Sequence, residues 1–166
     1  MDVNDSTDKS YCTLQKISIS TKGNKKEIQE LIPVDVNFLC DRDSVVFHLV
    51  DANFDGYNDL QLFNLKGTSG TLYFFWTYNS SKKIFERSSE LEDVSSPEFD
   101  KKSKSIYSSF FNNKSSGQDT YKYIHGNLTM IERVRNFIKI DKNGKEKELT
   151  TVHRLINGKM KLIETF

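Results

Sequence analysis

Along most of the chain apolar and polar residues alternate with a period of two, the pattern of strands that bury one face. Leu14 to Ser20 (LQKISIS) alternates in this way, TKGNKK turns the chain, and Glu27 to Val36 (EIQELIPVDV) returns as a second strand. That strand is broken near Pro33, which has no N–H to give to a ladder. Ser44 to Val50 (SVVFHLV) is a continuous apolar run rich in β-branched residues, as in a buried strand, and Asp59 to Leu65 (DLQLFNL) alternates again. GTSG precedes Thr71 to Asn79 (TLYFFWTYN), the most aromatic segment, which pairs across Ser80 to Lys83 with IFERS. In it Tyr73, Phe75 and Thr77 share one face and Phe74, Trp76 and Tyr78 the other. One of these faces is core; the other is either an exposed aromatic patch or a second covered face.

The very polar SSELEDVSSPEFDKKSKS predicts a surface connection with one helical turn at SSELED, after which Ser105 to Asn112 (SIYSSFFN) resumes the strand pattern. NKSSGQD then reads as a loop, and TYKYI and LTMIERV as strands joined by a turn at His125-Gly126-Asn127. Lys142-Asn-Gly144 and Asn157-Gly158 mark two more hairpin turns near the end, Asn-Gly between alternating runs being the strongest short-range hairpin signal. Short strands with turns every ten or so residues predict an all-β fold, an antiparallel meander of hairpins built as a barrel, a sandwich or a small propeller. The pattern does not choose among these. The polar residues 1–10 are expected to be a disordered N-terminal segment, and 11–166 a single all-β domain.

Composition agrees with strands: twelve Phe and seven Tyr against only two Pro. The 24 basic and 23 acidic residues are interspersed, so nothing points to nucleic acid or an anionic membrane as partner, and a protein partner is expected. No stretch is long and apolar enough for a membrane span. The start, MDVNDSTDKS, has none of the basic and apolar regions of a signal peptide, although a leader removed beforehand leaves the same start. Cys12 and Cys40 flank two expected strands, and a disulfide between them would stabilise by about 3 kcal/mol; two free thiols are the alternative.

The segment with the clearest chemistry is Asp51 to Asp59, DANFDGYND. Side-chain oxygens of Asp51, Asn53, Asp55 and Asp59 recur at spacings that a tightly curled loop can point at one centre, Gly56 permits the turn, and Tyr57 offers its carbonyl. Hard oxygen donors with three carboxylates suit Ca²⁺, and the absence of His and Cys argues against zinc or copper. It is not an EF-hand: the twelfth position is Leu62 rather than Glu, and the flanks are strands. A metal-free Asx turn is the competing expectation.

No catalytic constellation stands out. His48, His125 and His153 lie in a buried-looking run, a turn and a terminal strand, and no nucleophile-elbow pattern occurs. Glu86, Glu90, Glu92 and Asp93 fall in or beside the most polar segment, where a solvated face is expected rather than a glycosidase pair.

Taken in order, HLVDANFDGYNDLQLF, the aromatic strand, SSPEFDKKSKSIYSSF and TYKYIHGNLTMIERV resemble a family of small exported bacterial all-β proteins. Its members combine a DxNxDGxxDL calcium loop with an NPEFD stretch and a closing Asn-Gly hairpin, and the resemblance covers roughly residues 44 to 135. Its best understood relatives are similar to invertebrate-type lysozyme inhibitors and act as periplasmic immunity proteins against peptidoglycan-degrading effectors of type IV or type VI secretion systems. The resemblance implies a non-enzymatic, periplasmic inhibitor with structural Ca²⁺. Lysozyme inhibitors of this general kind often plug the enzyme cleft with an SGxxY loop. Ser69, Gly70 and Tyr73 match its letters, and Ser116, Gly117 and Tyr121 match it with one extra residue. The alternative function is an extracellular calcium-binding adhesion or carbohydrate-binding module that uses the TLYFFWTY surface.

Overall fold

Among the described residues the alternating segments form fourteen strands in three antiparallel sheets, with one short helix. The computed structural model describes residues 2–5, 11–21, 23, 26–33, 37–39, 47–67, 70–112 and 114–166, with only the backbone of 2–5, 11–12 and 37–39. The first sheet holds β1 (Asp2–Asp5), β2 (Tyr11–Ser20), β3 (Glu27–Leu31) and β4 (Asn37–Leu39). Here β2 lies between β1 on one edge and β3, followed by β4, on the other. The gap between β3 and β4 contains Pro33, as expected. Residues 2–5, assigned by their polarity to a disordered segment, instead pair with β2, because main-chain ladder bonds to an open strand edge require no apolar side chains. Cys12 stands in β2 with Phe38 as its partner in register, and Cys40 lies outside the described residues, as does the start of the SVVFHLV run.

The middle sheet has the order β5 (Phe47–Val50), β6 (Asp59–Gly67), β7 (Gly70–Asn79) and β8 (Ile84–Arg87). A helical turn, α1 (Ser89–Glu92), follows where SSELED predicted one. The third sheet is a six-stranded meander: β9 (Pro97–Asp100), β10 (Ser105–Phe111), β11 (Ser115–Ile124), β12 (Asn127–Ile140), β13 (Glu146–Ile156) and β14 (Lys159–Thr165). Its turns follow the backbone chemistry of the sequence. His125-Gly126 and Asn157-Gly158 are two-residue loops with both residues at positive φ, the type I′ geometry that matches strand twist.

The aromatic strand β7 explains how the layers stack. Phe74 and Trp76 are buried with Leu60 and Leu62 against Leu14 and Leu31 of the first sheet. Phe75 on the other face is fully buried with Ala52, Leu91, Val94 and Ile106, and Phe99, Tyr121 and Tyr123 pack around them. The second face of β7 is therefore covered, not exposed, and the middle sheet is the filling of a three-layer sandwich. Each buried aromatic or Leu side chain removes enough apolar surface from water to contribute about 1.5–3 kcal/mol. Gln29 adds a polar tie between layers. Its side-chain amide takes the place of a peptide partner at the edge of β8, accepting from Phe85 N–H (2.7 Å) and donating to Phe85 C=O (2.6 Å). Among the described residues none of the sheets closes into a barrel. The third sheet outruns this core, and β14 is exposed along its whole length.

Candidate functional site

The acidic loop connects β5 to β6, with Phe54 (φ 61°) and Gly56 (φ 91°) in the left-handed region that allows its tight curl. The four side chains picked out by their spacing, Asp51, Asn53, Asp55 and Asp59, do different things. Asp59 is completely buried and holds the loop to the sheet: Ala52 N–H donates to Oδ2 and Tyr78 N–H to Oδ1, each at 2.8 Å. Burial pushes this carboxyl above the usual range, the two N–H donors pull it back, and the charge of Asp55 pushes it up again. Asn53 Oδ1 accepts from Asp55 N–H (3.0 Å), Asp55 Oδ1 accepts from Tyr57 N–H (2.9 Å), and Asn53 Nδ2 donates to Asp55 Oδ2 (2.9 Å). These are Asx turns on the exposed side of the loop. Two rings anchor it, Phe54 edge-on to Phe99 at 6.5 Å and Tyr57 against Tyr78 at 5.5 Å.

Asp51 differs from the others. It is buried, its Oδ1 has no hydrogen-bond partner, and its Oδ2 stands 3.8 Å from Lys101 Nζ. An orphaned buried carboxylate oxygen is costly and fits a cation or a water. Asp51, Asn53 and Asp55, with the Tyr57 carbonyl, are the hard donors left once Asp59 is committed to main-chain N–H groups. Among the described residues no three His, Cys, Asp or Glu side chains gather about one point.

The two SGxxY matches do not form free loops. Ser69 lies outside the described residues. Gly70 (φ 143°) opens β7, where a Cβ would overlap Ser95 Oγ, and the strand is stitched down by Ser96 Oγ accepting from Thr71 N–H (2.9 Å) and Ser96 N–H donating to Thr71 C=O (2.7 Å). Tyr73 is half-buried between Phe63 and Phe75, each at 6.3 Å. Ser116, Gly117 and Tyr121 belong to β11, so the segment read as a loop is strand from Ser115 onward. The turn is shorter than its polarity suggested because Asn112 Oδ1 accepts from both Lys114 N–H and Ser115 N–H at 2.9 Å, reversing the chain at once.

On the same face of β11 as Gly117 is a charge cluster that the sequence reading missed. Asp119 is buried and accepts from Arg133 Nε (3.1 Å) and Nη2 (3.2 Å) and from Arg135 Nη2 (2.9 Å), with Arg135 Nη1 at 2.7 Å from its other oxygen. The Arg135 guanidinium lies over Gly117 and 4.6 Å above the Phe110 ring. Burial alone would raise the Asp119 carboxyl, but the hydrogen bonds from Arg135 and Arg133 outweigh it and hold the group below the usual range. With a folded pKa below the unfolded value of about 3.9, Asp119 stabilises the fold above that pH, and the contribution disappears as pH falls through the folded value. Acid unfolding followed by circular dichroism is therefore expected to have its midpoint at higher pH, and a shallower acid limb, in Asp119→Asn.

Three of the remaining acidic candidates are engaged structurally. Glu86 pairs with Lys82 and Asn79, Glu92 with Arg87, and Glu90 accepts from Leu128 N–H at 3.0 Å. His48 and His125 are exposed. His153 is half-buried, its Nδ1 without a hydrogen-bond partner. Tyr123 is pushed above the usual phenol range by burial and by the charges of Glu90 and Asp59. Phe74, Phe75 and Trp76, the rings that would have stacked on a sugar from the TLYFFWTY strand, are inside the sandwich.

No known protein family and no curated protein matches the chain. A solved structure of a Xanthomonas type IV secretion system related protein shares its fold, with a TM-score of 0.68 over 98% of this chain and 85% of that one, at 18% sequence identity. No helix among the described residues is long and apolar enough to cross a membrane.

Proposed function

We propose that this protein is a periplasmic immunity-type inhibitor that binds and occludes a peptidoglycan-degrading antibacterial effector, acting by steric contact rather than catalysis. The observation that carries the reading is the shared fold with a secretion system related protein along nearly the whole chain. The ordered DxNxDGxxDL, PEFD and hairpin motifs support it from the sequence side, as does the engagement of Glu86, Glu90 and Glu92 in hydrogen bonds and ion pairs. Co-expression with the product of the neighbouring gene tests it: a one-to-one complex that survives gel filtration is expected, and separate elution of two folded proteins would remove the basis for the proposal.

The same proposal gives loop 51–59 a structural Ca²⁺, held by Asp51, Asn53, Asp55 and the Tyr57 carbonyl, with Asp59 fixing the loop beneath them. The orphaned Asp51 Oδ1 supports this. A bound cation would neutralise Asp51 and Asp55 and lock the loop onto β7. Calcium at a hundredfold excess over its Kd would add about 2.7 kcal/mol, so the melting temperature is expected to rise measurably over that in chelator. Superimposable melting curves with calcium and with chelator would rule the ion out.

A further inference from the structure

Strand alternation gives the six-stranded sheet two faces, and charge divides unevenly between them. On the face that continues outward from the buried Ile106 and the half-buried Tyr121, strands β12 to β14 carry four bases, Arg133, Arg135, Lys139 and Lys147, and no acid. The opposite face of the same strands carries four acids and three bases, among them the Glu132–Arg154 pair. Asp119 of β11 is the acid that partly balances the first face, and it is consumed by the two arginines.

The basic face also has an order along the strands. Arg133 and Arg135 come first, with Phe110 beneath the latter; the half-buried pair Phe137 and Leu149 follows, and Lys139 stands directly opposite Lys147 beyond it. Neither lysine has an ion-pair partner among the described residues, and both are exposed. Like charges facing each other across a ladder destabilise a sheet. The chain tolerates that juxtaposition on the face where an apolar row is flanked by arginines and lysines, the arrangement of a protein interface with an apolar centre and a charged rim.

We infer that this face is the docking surface for a carboxylate-rich protein cleft. The choice rests on charge complementarity, and a protein fits better than a nucleic acid for two reasons. Four cations, two of them already paired with Asp119 and one of these also stacked on Phe110, are few for tracking a phosphate backbone, and the row between them is apolar. The inference deepens the proposed function and rests on it for the partner's identity: hydrolysis of a glycosidic bond uses a pair of carboxyl groups flanking the bond, so the cleft of a cell-wall glycosidase is itself acidic.

The test combines two probes with two charge-reversal variants. Lys139→Glu with Lys147→Glu alters the basic face, and Lys159→Glu with Lys161→Glu alters exposed positions on the other. Isotope-labelled protein is titrated with poly-L-glutamate and with duplex DNA at low salt, and unlabelled protein with the neighbouring gene's product, the proposed hydrolase partner. Poly-L-glutamate is expected to shift the Arg133, Lys139 and Lys147 resonances, and the first variant to weaken both this and hydrolase binding at least about tenfold, the second having little effect. Loss of hydrolase binding in neither variant, or equally in both, overturns the docking face while leaving inhibition intact. No hydrolase binding by the unmutated protein, with poly-L-glutamate still bound at this face, removes the inhibitor reading but keeps the acidic-partner surface. No perturbation by poly-L-glutamate, or tighter binding of duplex DNA, overturns the inference itself.

Discussion

Asp59→Ala is expected to destabilise the protein by about 4 kcal/mol, because it strips two buried main-chain N–H groups of their acceptor at about 1–3 kcal/mol each. Those donors, Ala52 and Tyr78, sit on opposite sides of the carboxylate, one in the acidic loop and one in β7. Losing Asp59 thus unfastens the loop from the aromatic strand around which all three layers are built. The deficit is expected with or without calcium, since it comes from main-chain hydrogen bonds. Asp55→Ala should behave differently. Asp55 is exposed and its bonds stay within the loop, so the change is expected to cost about 1 kcal/mol or less in chelator while abolishing any rise in melting temperature with calcium. Chemical denaturation of both variants, in calcium and in chelator, separates a carboxylate that holds the fold from one that holds an ion. Equal behaviour of the two would show that the loop does not divide its labour in this way.

Gly117→Ala is expected to cost about 3 kcal/mol despite adding a single methyl group. The added carbon would overlap the Val134 carbonyl oxygen in the neighbouring strand and press on the Phe110 ring, 2.7 Å away, and on Arg135 Nη1, 3.1 Å away. A carbonyl in a central ladder cannot retreat without breaking strand pairing, and a displaced Arg135 gives up both Phe110 and Asp119. Gly126→Ala provides the comparison: space around it is open, and the cost arises only from φ at +82°, about 1–2 kcal/mol. Urea unfolding of the two variants should therefore rank Gly117 as the costlier site. A Gly117→Ala protein as stable as the parent would mean that Arg135 does not lie across β11.

Much of the strand pattern was legible in the sequence because many strands alternate visibly and each of the last three hairpins has a Gly at positive φ. The order of the sheets was not, since nothing local says which strand is covered twice. TLYFFWTYN carried large rings on both faces, which is what a central layer requires, yet the same letters also describe an exposed aromatic patch. The Asp119 cluster was hidden by one residue. Counting back from the His125-Gly126 turn in simple register puts Glu132 opposite Asp119, with Arg133 and Arg135 turned to the other face. The bulge between Thr120 and Tyr121 on this pair shifts β12 by one position and brings both arginines onto Asp119. In the acidic loop the spacing of oxygens was visible, but their division was not: burial of Asp59 depends on Tyr78, nineteen residues away along the chain.

The central claim is that this sandwich silences a cell-wall hydrolase by covering it. Its most direct measurement is the clearing of a peptidoglycan suspension by the neighbouring gene's product, the proposed partner, titrated with this protein. Inhibition is expected to be complete at one equivalent and to be lost when Lys139 and Lys147 are reversed in charge. Unchanged clearing in the presence of a large excess of folded protein would contradict the claim.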